Sequence, residues 1–435
     1  MPMHLSPVPT VAVLAGSFKP RSRPIRRVEI SSPARGCAQQ PLSAMARYVP
    51  PAGDDDWETV DPASSGFDAT KLAQAVQFSI DNETEYCTPD GDMKAFLLAG
   101  GMHGAPEPEG LRDIVGPTRP RGATNGMILR GGRIVVEWGD TRRPDMTFSC
   151  TKSYLSTMVG LACADGILKD LDEPVAVKVH DGGFDSEHNA QITWRHLLHQ
   201  SSEWRGELWG KPDSIDHNRA VNTKTAAAKG TLRQLHTPGS FYEYNDVRVN
   251  RLSLSVMRVL QRSLPSLLKE RIMDPIGASD SWSWNGYSTS FEKLKDGTPV
   301  QGVSGGGHWG GGLFISTRDH ARFGLLHTRG GEWATGQQLI PREWIETATE
   351  PSLTNHQYGA MWWLNTVGER GQFYPSVPSS SFVAQGAGGN YVWCEPSLDL
   401  VVVVRWCGDF KGFTERVMAA LVGEENQQSG DAASL

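Results

Sequence analysis

No apolar run in the 435-residue sequence reaches the roughly 18 residues that mark a membrane span, so none is expected. Cysteine is scarce, with 6 residues and no Cys-x-x-Cys spacing. Cys150 and Cys163 fall in an apolar helical run and read as packed thiols rather than bridge partners, and the count does not fix a redox compartment. An excess of positive charge is missing too. A net charge of −7 and a pI near 6.0 give no reason to expect nucleic acid or an anionic membrane as partner. Metal-ligand spacing is also absent. His196 and His199 lie three apart without a suitably spaced third ligand, so they read as ordinary surface or core histidines and no metal is expected.

What is present is length enough for one large or two ordinary domains, and 14 tryptophans, most of them expected in the core and some in an apolar cleft. Residues 1 to about 55 are Pro-rich and basic (Lys19, Arg21, Arg23, Arg26, Arg27) and read as a disordered extension. Their charges follow the mildly apolar stretch Val8 to Ala15 instead of preceding it. That order argues against a secretory signal and favours the cytoplasm over the periplasm or secretion. The polar tail from 424 to 435 also reads as disordered.

Between these ends the pattern changes twice. Asp68 to Phe78 has the apolar spacing of a helix. Met127 to Leu129 and Ile134 to Trp138 flank Arg130-Gly131-Gly132-Arg133, a hairpin signal. From Leu171 to about Val300 helical segments and loops dominate, including Thr193 to His199, Val249 to Leu260 and Leu264 to Ile272. Strands return at Leu313 to Ile315, Tyr358 to Asn365, Tyr391 to Cys394 and the valine run Leu400 to Trp406. Ser316 or Thr317 caps a helix that runs through Leu326. The expected organisation is a sheet-containing α/β domain from 56–170 and 300–423, interrupted by a mainly helical domain at 171–299.

The chemistry centres on Phe148-Ser149-Cys150-Thr151-Lys152. Leu155, Met158, Val159 and Ala162 continue at helical spacing, and Gly166 supplies a stop. Ser149 and Lys152, three apart, share a helix face. Free backbone N–H groups and the positive helix end disfavour a charged lysine there, and burial adds to this. A neutral Lys152 can take the Ser149 proton and make the hydroxyl a nucleophile. Two further Ser-x-x-Lys matches, Ser266/Lys269 and Ser290/Lys293, lack a long apolar helix behind them. Gly302-Val303-Ser304-Gly305-Gly306 fits the nucleophile elbow, but a glycine-rich stretch follows where that motif needs a helix.

Four segments in order complete the pattern: Ser149-x-x-Lys152, Pro238 to Asp246 containing Tyr244-Asn245-Asp246, Gly310 to Asp319, and Gly386-Ala387-Gly388-Gly389-Asn390. On these the chain resembles the serine β-lactamase and penicillin-binding-protein superfamily over roughly residues 57 to 423. It looks closest to the class C-like branch, which includes family VIII carboxylesterases and D-aminopeptidase-type enzymes. The resemblance implies an α/β (α+β) fold with an antiparallel sheet flanked by helices. It implies Ser149 as nucleophile, Lys152 and Tyr244 as proton-transfer groups, and the N–H groups of Ser149 and Asn390 as the oxyanion hole. It places Asp246, Ala387, Gly388 and Gly389 at the substrate. Asp246 stands where the family usually has asparagine, and its charge is expected to raise the Lys152 pKa. Ala387 stands where lysine or histidine opens the third motif, so the usual partner of a substrate carboxylate is missing unless His308 or Arg405 replaces it. The implied activity is acyl-enzyme hydrolysis without metal or organic cofactor, most simply of a small ester with a short or medium acyl chain. β-Lactam or D-amino-acid peptide hydrolysis, acyl transfer, and a non-catalytic binding module are the alternatives. The oligomeric state is not legible.

Overall fold

The computed structural model describes residues 47–53, 56–101, 107–219 and 229–422. Most of the stretches read as disordered thus lie outside the described residues. Residues 47–53, the end of the first, are placed. Tyr48 and Val49 pack against the main core, and the Arg329 guanidinium donates to the Tyr48 carbonyl at 2.8 Å. Ordered chain therefore begins before Trp57.

The fold is mixed α/β with antiparallel sheets and flanking helices. Strands β1 (Asn125–Arg130) and β2 (Arg133–Trp138) form the expected hairpin. Gly131 and Gly132 both have φ above zero (60° and 82°), the backbone that a two-residue turn of this twist demands. Four strands from the far end of the chain join them: β7 (Trp363–Leu364), β8 (Phe382–Gly386), β9 (Asn390–Glu395) and β10 (Leu400–Arg405). The order is β2-β1-β10-β9-β8-β7. The valine run of β10 is apolar throughout because both its faces are covered. Leu400, Val402 and Val404 face one core, where helices α1 (Ala69–Asp81) and α5 (Phe410–Ala420) pack. Val401 and Val403 face the other, with α2 (Thr151–Ala164) and α4 (Thr317–Thr328).

A second, four-stranded sheet has the order β3-β6-β4-β5: β3 is Asp145–Met146, β4 Ser283–Lys293, β5 Pro299–Val303 and β6 Gly312–Ile315. The long β4 lies in the stretch that reads as helices and loops. A register shift between Gly286 and Phe291 breaks its inward–outward alternation, which hides it from a period-two reading. Tyr358 to Asn365 departs the other way. Only Trp363–Leu364 is strand, because the chain turns at Gly359 to Met361, where Met361 has φ 64°. Helix α3 (Asp246–Leu260) starts three residues before the apolar spacing does, because Asn245 caps it by accepting the Val247 and Arg248 N–H groups.

Two histidines are sealed into this fold. His320 on α4 sits between Thr147 Oγ1 (2.7 Å) and the Tyr154 hydroxyl (2.9 Å). His327 sits between Thr157 Oγ1 and the Phe323 carbonyl. Burial pushes His320 well below its usual 6.5 and His327 down to about 4. The unfolded chain then binds more protons than the native state between these values and 6.5, so stability is full above pH 6.5 and falls below it. These two groups alone contribute a limiting slope of about 2.7 kcal/mol per pH unit, to which the half-buried His199, also pushed down to about 4 by burial, adds. Urea unfolding should therefore lose roughly 2–4 kcal/mol between about pH 7 and pH 5. His327→Gln should flatten that slope, and an unfolding free energy level across the interval would sink the argument.

Candidate active site

Strand β3 delivers the chain to the Ser149 turn. Phe148 takes φ 47°, a left-handed conformation costing about 1–2 kcal/mol for a residue with a side chain. Its ring is held there, buried edge-on against Tyr86 and Trp406 at centroid distances of 5.4 and 6.4 Å. A 3-10 turn over Phe148–Cys150 then runs into α2, leaving Ser149 half-buried at the helix entrance. Lys152 is fully buried one turn on, and its Nζ donates to Ser149 Oγ at 2.8 Å and to the Gly305 carbonyl at 3.2 Å.

Tyr244 arrives from the segment before α3. The Asn245 cap fixes its backbone, while its ring stacks on Trp363 (5.7 Å) and meets Tyr358 edge-on. Ser149 lies close enough to the Tyr244 phenol to ease its ionisation, and Lys152 Nζ lies 5.0 Å from the ring centroid. Burial, reinforced by Asp246, raises the phenol far above its usual range, so Tyr244 is a neutral donor at ordinary pH. Tyr244 thus joins Ser149 and Lys152, neighbours on one turn, from an element distant in sequence.

Asp246, the first residue of α3, is buried beside them. Its Oδ1 lies 2.8 Å from Lys152 Nζ. Its Oδ2 meets Arg219 at 2.7 Å and His308 Nδ1 at 3.1 Å. Burial opposes the Asp246 charge, but Arg219 and Lys152 outweigh it and hold the carboxyl well below the usual range. Lys152 moves down from 10.5. Burial is the main cause, and Asp246 pushes the other way, as its charge was expected to, without reversing it. Beyond Asp246 the network continues. Arg219 reaches Asp216, whose Oδ2 accepts the Asp246 N–H; His308 Nε2 contacts Glu107; and Glu107 accepts the Trp309 indole N–H. The motif reading missed Arg219, Asp216, Glu107 and Lys229. Their only local signal was the three-residue step from Asp216 to Arg219, far from every motif.

Glu107, Asp216 and His308 bring donor atoms within 4.8 Å of one another, a set that could hold a metal. Lys229 Nζ, however, touches all three at 2.6, 3.3 and 3.3 Å, so an ammonium stands where a cation would sit.

The third segment forms the β8–β9 hairpin against the Ser149 turn. Gly386 is required there, because a Cβ would overlap the Thr147 carbonyl oxygen. Ala387 is exposed at the hairpin tip, with Gly388 and Gly389 half-exposed behind it. Asn390 is placed differently from the expectation. It pairs with Gly386, has no exposed surface, and turns its side chain to the Ala387 carbonyl (2.7 Å) and to Arg405 (2.5 Å). A group without accessible surface cannot meet a substrate oxygen, so Asn390 supports the hairpin from beneath. Arg405 also donates to the Ile315 and Met146 carbonyls and is buried, so it does not reach the cleft. His308 has both ring nitrogens against carboxylates. Ser304 is fully buried, accepts the Gly306 N–H and precedes the carbonyl that holds Lys152.

Residues 122–426 match the family described as β-lactamase. The chain belongs to that family. It is thus a β-lactamase-like member of the serine hydrolase superfamily. Among solved structures, a penicillin-binding-protein homologue from Caulobacter crescentus is 17% identical, with a TM-score of 0.51 over 82% of this chain and 99% of the other. EstCE1, a hydrolase with promiscuous acyltransferase activity, is 14% identical, with a TM-score of 0.48 over 81% and 99%. A D-stereospecific amidohydrolase from Streptomyces sp. is 15% identical, with a TM-score of 0.44 over 68% and 93%. The first supports the β-lactamase fold and says nothing of substrate. Among the described residues no helix is long and apolar enough to cross a membrane.

Proposed function

We propose that this β-lactamase-family protein is a serine hydrolase that forms and hydrolyses an acyl-enzyme, with small neutral esters of short or medium acyl chain as substrates. The observation that carries the reading is Ser149 Oγ held at 2.8 Å by the buried Lys152 Nζ, with the Tyr244 ring packed beside that amine. Neutral Lys152 accepts the Ser149 proton as Oγ bonds to the ester carbon. The carbonyl oxygen becomes an oxyanion facing the Ser149 N–H and, in place of the buried Asn390, the N–H of exposed Ala387. One such donor typically contributes about 3–4 kcal/mol. Collapse breaks the ester C–O bond, and the leaving alkoxide takes its proton through Tyr244 and Lys152. Water then adds to the acyl-enzyme with the same groups as base, and the acid departs.

Substrate choice follows from Ala387. β-Lactams and D-Ala peptides carry a carboxylate beside the scissile bond, while Arg405 is buried beneath the hairpin and His308 is held between two carboxylates. A missing charge-assisted hydrogen bond, about 1.5–3 kcal/mol, corresponds to roughly 10- to 100-fold in relative efficiency. The kcat/KM for p-nitrophenyl butyrate should exceed that for nitrocefin by about this factor. Ala387→His should narrow the gap by improving the lactam. Nitrocefin hydrolysed as well as the ester would overturn the neutral-ester assignment. A burst of p-nitrophenol followed by steady release separates turnover from a module that acylates once.

A further inference from the structure

A general base must lose its proton, yet Lys152 lies 2.8 Å from a buried carboxylate. A salt bridge of that kind by itself locks a lysine as an ammonium. The arrangement around Asp246 resolves the conflict. Three carboxylates, Asp246, Asp216 and Glu107, are in mutual contact through two cations, Arg219 and Lys229. The cluster is one positive charge short. Two titratable groups touch Asp246 and can supply it: Lys152 on Oδ1 and His308 on Oδ2. His308 is built for the charge. Its Nδ1 faces Asp246 Oδ2 at 3.1 Å and its Nε2 faces Glu107 Oε1. Ionised carboxylates only accept, so both contacts are hydrogen bonds only when both ring nitrogens carry protons. The Trp309 ring lies 4.0 Å from the imidazole, Lys229 Nζ lies 3.3 Å from Nε2, and Tyr86 and Arg112 line the same cavity.

We propose that His308 is a positioning residue of the Ser149 site: as an imidazolium it supplies the positive charge that Asp246 requires, which frees Lys152 to act as the neutral base. The inference rests on the acyl-enzyme reading above. Lys152 otherwise faces Ser149 Oγ, the Gly305 carbonyl and the Tyr244 ring, with Arg219 and Asp216 beyond Asp246 and the Cys150 thiol nearby. None of these except Arg219 offers a substitute charge. Removing the His308 charge leaves the Asp246 field on Lys152 less compensated, so the ammonium persists to higher pH.

The test is the pH profile of kcat/KM for p-nitrophenyl butyrate over about pH 5 to 9 in the wild type, His308→Gln and His308→Lys. Loss of one charge at this separation should move the acid limb of His308→Gln upward by about one pH unit, a tenfold loss at fixed pH on that limb. His308→Lys keeps a cation and should return the limb towards its wild-type position. A lower kcat with an unmoved limb is what a merely structural histidine gives, and overturns the proposal. Nitrogen-15 NMR of histidine-labelled wild type, assigned through the Gly307–His308 pair that no other histidine shares, provides a readout that needs neither turnover nor a folded variant. Both His308 ring nitrogens should be protonated at about pH 7, and a neutral tautomer there overturns the proposal. Absence of ester turnover in the wild type would instead sink the hydrolase reading and leave the NMR result to decide the role of His308.

Discussion

Ser149→Ala is expected to lower ester turnover by a factor of about 10⁴ to 10⁶ while the protein stays folded. The size of the loss follows from the surroundings of the serine. No neighbouring hydroxyl can stand in for it. Thr151 Oγ1 accepts the Leu313 N–H, Ser153 Oγ donates to the Met361 carbonyl, and Ser304 has no exposed surface. Ser304→Ala should accordingly cost little turnover. Lys152 holds the Ser149 hydroxyl and lies against the Tyr244 ring, so the two are expected to act as one unit. The Lys152→Ala, Tyr244→Phe double variant should be hardly worse than the poorer single variant. Losses that add in free energy would contradict the coupling. A phosphonate probe covalently attached at a residue other than Ser149 would remove the mechanism.

The largest loss of stability is expected from Arg248→Met. Arg248 is buried on the first turn of α3, where its guanidinium meets Glu203 at 2.7 Å, Asp213 at 3.2 Å, Glu243 at 3.2 Å and the Trp204 carbonyl at 3.0 Å. Glu203 is held down to about 2, against the opposing effect of burial, by Arg233 and Arg248 together. Methionine fills similar space and removes the charge, leaving Asp213 and Glu243 with less compensation in a buried site. Breaking one partner out of such a group typically costs about 3–5 kcal/mol, which chemical denaturation would read as a lower midpoint at unchanged slope. Arg248→Lys should recover only part of the loss, because one ammonium cannot reproduce the planar, several-pronged contact. A variant within about 1 kcal/mol of wild type would show that the carboxylates relax into solvent. The adjoining Glu203–Arg233 pair should remain in either case, since Arg233 reaches Glu203 with two bonds of 2.6 Å.

Much of the framework was legible because it obeys local rules. The β1–β2 hairpin follows from its paired glycines, the α4 boundary from the Ser316 cap, and the buried strand β10 from its valines. Ser149 and Lys152 could be paired from sequence because they are three residues apart on one turn. Other features could not be read. The strand β4 is interrupted by a register shift, and the supposed strand at Tyr358 is turned by backbone that its residue types do not announce. Asn390 fits the motif by position, yet the β8–β9 ladder pairs it with Gly386 and takes it out of reach of solvent.

By itself, then, the sequence determined that Ser149 sits beside Lys152, the kind of fold, and the absence of a cation at Ala387. These depend on residue identity and short spacing, and a helix turn or a strand converts spacing directly into proximity. The tertiary structure decided the electrostatics. Glu107, Asp216, Arg219, Lys229 and His308 come from separate loops and become partners of Asp246 only because the chain folds them into one low-dielectric site. Whether burial or Asp246 governs Lys152 is a contest between desolvation and opposing charge. Both terms are set by distance and by exclusion of water, quantities that residue order does not contain.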